Sequence, residues 1–407
     1  MAIVVHEVQL ADTNAYVGFH TLGISIDYII RIAIGFAILW LILPKRYIYP
    51  SDYILFIYSL FTLAPFIVFG QVNGSVFQYY FIGLIIIATP LILIKILKRI
   101  KIKVSIISLL HTRYITYALL FFSLATVTMS FLSAPASSGF TLADSYDRRL
   151  EARDIYLAGS FLAYAIGMTV NGIAPFLSFY AGLRNSKFFF LFPFMIAVMF
   201  FYIVGTKAPV AYVFLSFGVG LLIRQNKMNK LPHIFLALIT CIFFICVVEW
   251  VVMNFSLLAE LSFRRINVVP GRMVSHYLEM MASSNYWSLL SGVEYPRGVT
   301  YLVGCIYYTC ESNANTNAFV YSLAAGGLFG YISVTFLVTF FYFLLDNIYS
   351  KTRSSSLVYV GLFYGLLIAE QAAPTALVSS GFALLTMLFI LEKKSRVFFH
   401  GNQKLKV

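Results

Sequence analysis

The chain has 407 residues, of which 60% are hydrophobic and 11% charged, and its mean hydropathy is +0.86. This composition excludes a water-soluble domain, whose surface needs many more polar residues, and favours a polytopic membrane protein. Long continuous apolar segments exclude a transmembrane β-barrel, whose strands alternate in polarity. The sequence therefore predicts an all-α protein that forms a single integral membrane domain over residues 1–407.

About eleven apolar windows are predicted to cross a bilayer core of roughly 30 Å as helices. They are, in chain order, Thr21–Leu43, Tyr53–Gly70, Gln78–Leu97, Tyr114–Leu132, Ile155–Tyr180, Phe188–Val204, Ala208–Ile223, Leu231–Met253, Ala318–Asp346, Ser356–Glu370 and Ala376–Leu391. Residues 1–20 lack the basic and apolar regions of a cleavable signal peptide. We expect the first window to act as its own insertion signal.

The distribution of positive charge predicts the orientation of these helices. Of the 29 Lys and Arg residues, 20 fall in or beside alternate connections and the C-terminal tail, which identifies that side as cytoplasmic. Arg31 lies within the first window, and eight cations remain for the opposite side: Arg148, Arg149, Arg153, Lys207, Arg264, Arg265, Arg272 and Arg297. The N-terminus and two long loops, residues 133–154 and 254–317, are then extracytoplasmic.

The cations on the predicted outer side differ in kind from those on the inner side. Seven of the eight outer cations are Arg, whereas the inner set has 13 Lys and 7 Arg. A guanidinium group is planar, always charged and able to bind phosphate bidentately. The net charge of +13 follows mostly from topology and attraction to anionic lipid, and it gives no argument for nucleic acid.

The larger outer loop contains the main candidate site. Pro270-Gly271 predicts the start of a helix over Arg272–Tyr286, on which Arg272, His276 and Glu279 share one face. An amphipathic helix lying on the membrane surface would explain this pattern without any chemistry. Alternatively, a cation, an imidazole and a carboxylate beside Arg264 and Arg265 hold pyrophosphate and move a proton.

His276 is the only histidine in either long outer loop, which makes it a candidate general base, although a lone histidine is often incidental. Glu279, Glu260 and Glu294 compete with it, because a carboxylate in a partly apolar cavity can have its pKa raised enough to accept a proton. The sequence does not rank these candidates.

Three further features of the outer side have both functional and structural explanations. Lys207, in Gly205-Thr-Lys-Ala-Pro209, either faces a polar cavity or extends to an interface from its apolar stem. Asn313, Asn315 and Asn317 either bind sugar hydroxyls or cap the helix that follows. Cys305 and Cys310 are close enough in sequence to form a disulfide in an oxidising compartment, and the sequence leaves this open.

Taken together, these features resemble the O-antigen polymerase (Wzy-type) family. The resemblance depends on Gly205-Thr-Lys-Ala after a span, on Arg264-Arg265 followed by Pro270-Gly271, and on Asn315-Thr-Asn-Ala-Phe319 leading into Gly326-Gly327-Leu-Phe-Gly330. It implies a fold of the membrane-embedded GT-C class of glycosyltransferases. It also implies a multi-pass protein of the bacterial inner membrane, with its active site facing the periplasm.

The reaction implied by the resemblance is metal-independent and needs no cofactor. A sugar hydroxyl of one lipid-linked repeat unit attacks the anomeric carbon of a growing chain and expels undecaprenyl pyrophosphate. The implied pyrophosphate ligands are Arg264, Arg265, Arg272, Arg148, Arg149 and Lys207, the implied bases are His276, Glu279 and Glu260, and the implied sugar ligands are Asn313, Asn315 and Asn317. The implied partners are lipid-linked oligosaccharides, membrane lipids and a chain-length-regulating co-polymerase.

Two other functions remain as alternatives. A flippase or transporter of lipid-linked oligosaccharides would carry its cations inside the helical bundle and show internal symmetry, whereas here the outer cations are in loops and no repeat is found. A ligase that transfers finished polysaccharide to lipid A core would share nearly the same chemistry and topology.

Overall fold

The computed structural model describes residues 1–15, 19–70, 77–102, 109–135, 138–141, 144–157, 159–282, 298–310 and 312–392. The protein is all-α, as predicted. Its α-helices in chain order are α1 (Ala2–Val5), α2 (Ala11–Thr13), α3 (Ile26–Ile42), α4 (Pro50–Tyr58), α5 (Ala64–Phe69), α6 (Phe77–Leu97), α7 (Thr112–Leu132), α8 (Ser145–Ile155), α9 (Phe161–Met168), α10 (Ala174–Arg184), α11 (Lys187–Val204), α12 (Ala208–Arg224), α13 (Leu231–Met253), α14 (Val269–Ala282), α15 (Val299–Tyr307), α16 (Ala318–Thr352), α17 (Ser355–Ile368), α18 (Ala373–Val378) and α19 (Phe382–Ile390).

Segments with wider, π-helical turns interrupt several of these helices. They are His6–Leu10, Ser59–Leu63, Thr169–Ile173 and Ala259–Val268. Each of the last three ends two residues before a proline, namely Pro65, Pro175 and Pro270. A proline lacks an N–H, and its ring clashes with the carbonyl four residues earlier in an α-helix. A wider turn moves that carbonyl away, so the chain stays helical through each proline.

Seven of the described helices are long and apolar enough to cross a membrane, as expected for a polytopic membrane protein. They are Pro50–Phe69, Tyr79–Leu97, Thr112–Leu132, Phe161–Arg184, Lys187–Val204, Met228–Met253 and Ala318–Thr352. Ala208–Arg224 and Ser355–Ile368 are shorter apolar helices. The first predicted window corresponds to α3, and the last one is divided between α18 and α19 because Gly381 adopts a positive φ of 77°.

The chain divides into two compact units. The first comprises Met1–Ile102, Lys230–Asp346 and Tyr364–Ala373, and the second comprises Lys103–Asn229, Asn347–Phe363 and Pro374–Val407. The larger predicted loop therefore belongs to the first unit, and the smaller one belongs to the second unit.

The core of the first unit includes the N-terminal segment. Buried Val5, Leu10 and Phe19 pack with Phe263 and Val268 of the π-helical segment Ala259–Val268. At the N-terminal end of α4, the carboxylate of Asp52 accepts hydrogen bonds from the backbone N–H groups of Ile48 and Tyr49 and pairs with Lys98. The contacts of Val5 and Leu10 hold residues 1–15 beside the part of the first unit that contains α14.

The second unit is held together by close contact between α10 and α12. Gly182 and Gly220 face each other, and a Cβ placed on either one would collide with a backbone carbonyl of the partner helix. The Ser178 hydroxyl donates a hydrogen bond of 2.6 Å to the carbonyl of Val213. Small residues let the two backbones approach, which is a common way for helices to associate in membranes.

Candidate functional site

The predicted helix of the larger loop exists, but it begins earlier than predicted. The chain is helical from Ala259 through Ala282, because the π-helical turns before Pro270 accommodate that proline. Pro270-Gly271 therefore does not start the helix, and that prediction was wrong. Gly271 instead lets α14 lie against the backbone of Pro65, where a Cβ would collide with the carbonyl.

Helix α14 is buried on all sides rather than lying on a surface. Every residue from Gly271 to Leu278 is buried, including Arg272 and His276, which are 5% and 7% exposed. An interfacial helix would leave its polar face accessible, so this alternative was wrong. The Tyr277 hydroxyl donates to the carbonyl of Ala314 over 2.9 Å and anchors the helix to the loop before α16.

The polar residues of α14 meet as their spacing predicts. Nδ1 of His276 lies 3.8 Å from Oε2 of Glu279. The guanidinium carbon of Arg272 lies 4.7 Å from the centroid of the Phe19 ring, a cation–π contact. Burial lowers the pKa of Arg272, and the neighbouring Tyr308 and Glu279 oppose this shift. A largely desolvated cation gains more from an anionic ligand than an exposed one does.

Two tyrosines at the end of α15 complete this cluster. The Tyr307 ring stacks on the His276 imidazole with centroids 4.0 Å apart, and its hydroxyl lies 3.4 Å from Oε2 of Glu279. The Tyr308 ring meets the same imidazole edge-on at 5.8 Å. Both tyrosines lie between Cys305 and Cys310, which form a disulfide. The close spacing of the cysteines was visible in the sequence, but nothing there connected the tyrosines to His276.

The N-terminal segment contributes a second histidine that the sequence did not point to. His6 is 1% exposed, and its Nε2–H donates a 3.0 Å hydrogen bond to the carbonyl of His20. Its ring packs edge-on against Phe69. Burial lowers the pKa of His6, partly offset by the hydrogen bond to His20 and by Glu7, while Arg272 lowers it further. A neutral imidazole therefore lies within electrostatic range of the Arg272 guanidinium.

Glu260 and Arg264 belong to a separate network that fixes this N-terminal segment. Nε of Arg264 lies 3.0 Å from Oε2 of Glu260, and its Nη1 donates to Oδ1 of Asn14 over 2.7 Å. Asn14 and Thr13 each donate to Oε1 of Glu260 over 2.8 Å. Both predicted site residues thus have structural partners. The adjacent Arg265 is exposed and lies near Tyr308.

Asn317 is the best-defined of the three asparagines. It is 2% exposed, and its Oδ1 accepts hydrogen bonds from the backbone N–H groups of Phe319 and Val320 and from the Tyr58 hydroxyl at 2.6 Å. These contacts make it the cap of α16. Asn313 and Asn315 are exposed, and their role in binding sugar stays a prediction.

The remaining cations lie in the second unit and are described separately. Arg148 is fully buried, and its guanidinium donates to the hydroxyl and carbonyl oxygens of Thr141. Arg149 is partly buried, and the exposed Lys207 immediately precedes α12. Arg148 thus has a structural role, while pyrophosphate binding by these three residues stays a prediction. Arg297 and Glu294 lie outside the described residues.

No protein-family model, no curated protein and no solved structure matches this chain. The resemblance to the O-antigen polymerase family therefore depends on the residues and topology alone. Among the described residues, no group of three or more His, Cys, Asp or Glu side chains is arranged to hold a metal ion. The predicted independence from metals stays a prediction.

Proposed function

We propose that this protein is a membrane glycosyltransferase that joins lipid-linked oligosaccharide repeat units, as in the O-antigen polymerase family. One observation carries the proposal: the buried guanidinium of Arg272 and the buried imidazole of His276 lie one helical turn apart on α14. A leaving pyrophosphate needs cations fixed in place before its charge develops. A sugar hydroxyl that attacks an anomeric carbon needs a group to take its proton.

The cations and the candidate bases near α14 have different roles in the proposed reaction. Arg265 and Arg272 bind the pyrophosphate, and the Glu260–Arg264 pair holds the N-terminal segment beside them. His276 or Glu279 takes the proton of the acceptor hydroxyl. Glu260 is the weaker candidate for the base, because it already accepts hydrogen bonds from Thr13 and Asn14 and pairs with Arg264.

The chemistry forms one bond and breaks another. The acceptor oxygen bonds to the anomeric carbon of the growing chain, and the bond from that carbon to the pyrophosphate oxygen breaks. The leaving group carries away the electron pair, so negative charge accumulates beside the guanidinium groups, which are charged at neutral pH. Asn313 and Asn315 are further substrate contacts in this proposal.

The proposed setting is the bacterial inner membrane. The two shorter apolar helices, together with α3 and the region of α18 and α19, complete about eleven crossings alongside the seven long helices. Residues 133–154 and 254–317 then lie on the periplasmic side. The Cys305–Cys310 disulfide supports this orientation, because disulfides persist in oxidising compartments. Lipid-linked oligosaccharides and a chain-length-regulating co-polymerase are the proposed partners.

The proposal is tested by deleting the gene in its host and separating the envelope glycolipids on a gel. Loss of a polymerase leaves single repeat units on lipid A core. Loss of a flippase removes the antigen and traps lipid-linked units inside, and loss of a ligase leaves polymer on its carrier lipid. Normal polymer in the deletion strain would refute the proposal.

The base is identified by comparing His276→Ala and Glu279→Gln in the complemented strain. Removing the residue that takes the proton should lower turnover roughly 10²–10⁴-fold. Substitution of the other residue should change turnover much less. Unchanged turnover in both variants would exclude this pair as the source of the base.

A further inference from the structure

The segment closed by the Cys305–Cys310 disulfide lies against the buried face of α14. Within it, Tyr307 contacts His276 and Glu279, and Tyr308 meets the imidazole edge-on. The chain after the disulfide turns back over α15, where the N–H of Ala314 donates to the carbonyl of Thr300 over 3.0 Å. Gly304 allows this return, because a Cβ there would collide with the carbonyl of Ser312.

The Tyr308 hydroxyl is the unexplained group in this arrangement. Its oxygen is buried and has no hydrogen-bond partner among the described residues. Burial raises the pKa of Tyr308, and the Arg272 and Arg265 guanidinium groups oppose the shift, so the hydroxyl lies within the field of both cations. A buried hydroxyl without a partner is costly, and a ligand oxygen would remove that cost.

The position of this hydroxyl fits an anionic ligand rather than a structural contact. The guanidinium groups of Arg272 on α14 and of Arg265 in the preceding π-helical segment both attract negative charge toward the Tyr308 hydroxyl. A protonated tyrosine donates one hydrogen bond, and a phosphate oxygen accepts it strongly because the acceptor is charged. His276 also has a buried Nδ1 without a hydrogen-bond partner among the described residues, on the same side of α14.

We infer that Tyr308 is a third donor to the phosphate group bound by Arg265 and Arg272, and that the Cys305–Cys310 disulfide positions it there. The inference rests on the proposed function for the chemical class of the ligand, a pyrophosphate. Tyr308 acts as a binding residue, and the two cysteines act as positioning residues through it.

The experiment measures binding of inorganic pyrophosphate to the purified full-length protein in detergent. Tyr308→Phe removes only the hydroxyl and should weaken binding by roughly ten- to a hundredfold. Tyr307→Phe is the matched control, because it also removes one hydroxyl from the same segment but leaves Tyr308 in place. Its affinity should stay close to that of the wild type. The thermal transition without ligand should not fall in Tyr308→Phe, because that hydroxyl has no hydrogen-bond partner among the described residues.

The disulfide is tested in the same assay. The double variant Cys305→Ser, Cys310→Ser should bind more weakly, and adding Tyr308→Phe to it should cost less than in the wild type, because both changes remove the same contact. Dithiothreitol, which is oxidised as it reduces the disulfide to two thiols, should weaken the wild type and leave the double variant unchanged. Additive losses, or a wild type insensitive to reduction, would overturn the positioning role.

The outcomes separate this inference from the proposed function. If Arg272→Ala binds pyrophosphate weakly while Tyr308→Phe binds it like the wild type, Tyr308 is not a donor and the inference fails alone. If the deletion strain makes normal polymer while Tyr308→Phe weakens binding, the proposed function fails and the anion site stands.

Discussion

Nε of Arg264 lies 3.0 Å from Oε2 of Glu260, one helical turn earlier, whereas the next residue, Arg265, is exposed. Two consecutive arginines therefore have different surroundings, although they look equivalent in the sequence. Arg264 secures the N-terminal segment through Glu260 and Asn14. In the proposed function Arg265 is a pyrophosphate ligand, and it lies near Tyr308.

We expect Arg264→Ala to lower the free energy of unfolding by roughly 1–3 kcal/mol, because Glu260 loses its cation and Asn14 loses a donor. Arg265→Ala should change stability by less than about 0.5 kcal/mol, since the side chain is exposed. Unfolding of both variants in detergent checks this difference. Equal stability losses would contradict the distinct roles of the two residues.

Arg272→Ala should reduce turnover by roughly 10²–10³-fold, because the leaving group loses a fixed cation. Arg272→Lys should also be impaired, since an ammonium group cannot bind phosphate bidentately. Polymer length on gels and initial rates in vesicles are the measurements, with protein level and thermal stability as controls for folding. Full activity of the lysine variant would mean that positive charge alone suffices.

His6 should make the protein less stable in mild acid. Burial lowers its folded-state pKa below 6.5, so the unfolded chain takes up the proton first as the pH falls. The stabilising contribution is therefore complete above about pH 6.5 and is lost as the pH falls through the folded-state value. Glu7, Arg272 and the His20 carbonyl are the neighbouring groups that contribute to this shift.

His6→Gln tests this dependence, because its amide can still donate to His20 but does not titrate. Melting temperatures between pH 8 and pH 5 should fall less steeply in the variant than in the wild type. All other residues are the same in both proteins, so their effect cancels in the comparison. Parallel curves would show that His6 does not contribute.

The contact between α10 and α12 provides a matched pair of substitutions on one helix. Gly220→Ala should destabilise the protein by roughly 1–3 kcal/mol, because the new methyl group collides with the carbonyl of Phe179. Gly218→Ala meets nothing within 4 Å and should be neutral or stabilising by up to about 1 kcal/mol. Thermal unfolding distinguishes the two, and equal effects would contradict the close approach.

Local sequence patterns predicted the parts of the site that are close together in the chain. The spacing of Arg272, His276 and Glu279 was enough to predict that they share a helical face, since a helix repeats every 3.6 residues. The predicted start of that helix was wrong because proline is a frequent helix-start signal. The π-helical turns that precede Pro270 are not visible in the sequence. The burial of α14 was missed because its polar residues suggested an exposed face.

The contributions from distant segments had no local signal. His6 and Phe19 reach the cluster from more than 240 positions away, and the Gln9–Ser256 pair that helps to fix them is separated by 247 residues. Tyr307 and Tyr308 likewise reach His276 from another part of the chain, the end of α15.

The pairing of Gln9 with Ser256 also has a consequence for biogenesis. Gln9 donates to the Ser256 carbonyl over 2.9 Å and accepts from its N–H over 2.7 Å. A ribosome adding roughly 5–20 residues per second would reach Ser256 only about ten to fifty seconds after Gln9. During that interval Gln9 lacks the Ser256 backbone groups that it pairs with in the folded protein. The N-terminal segment therefore reaches its folded contacts only after all of α13 has been synthesised.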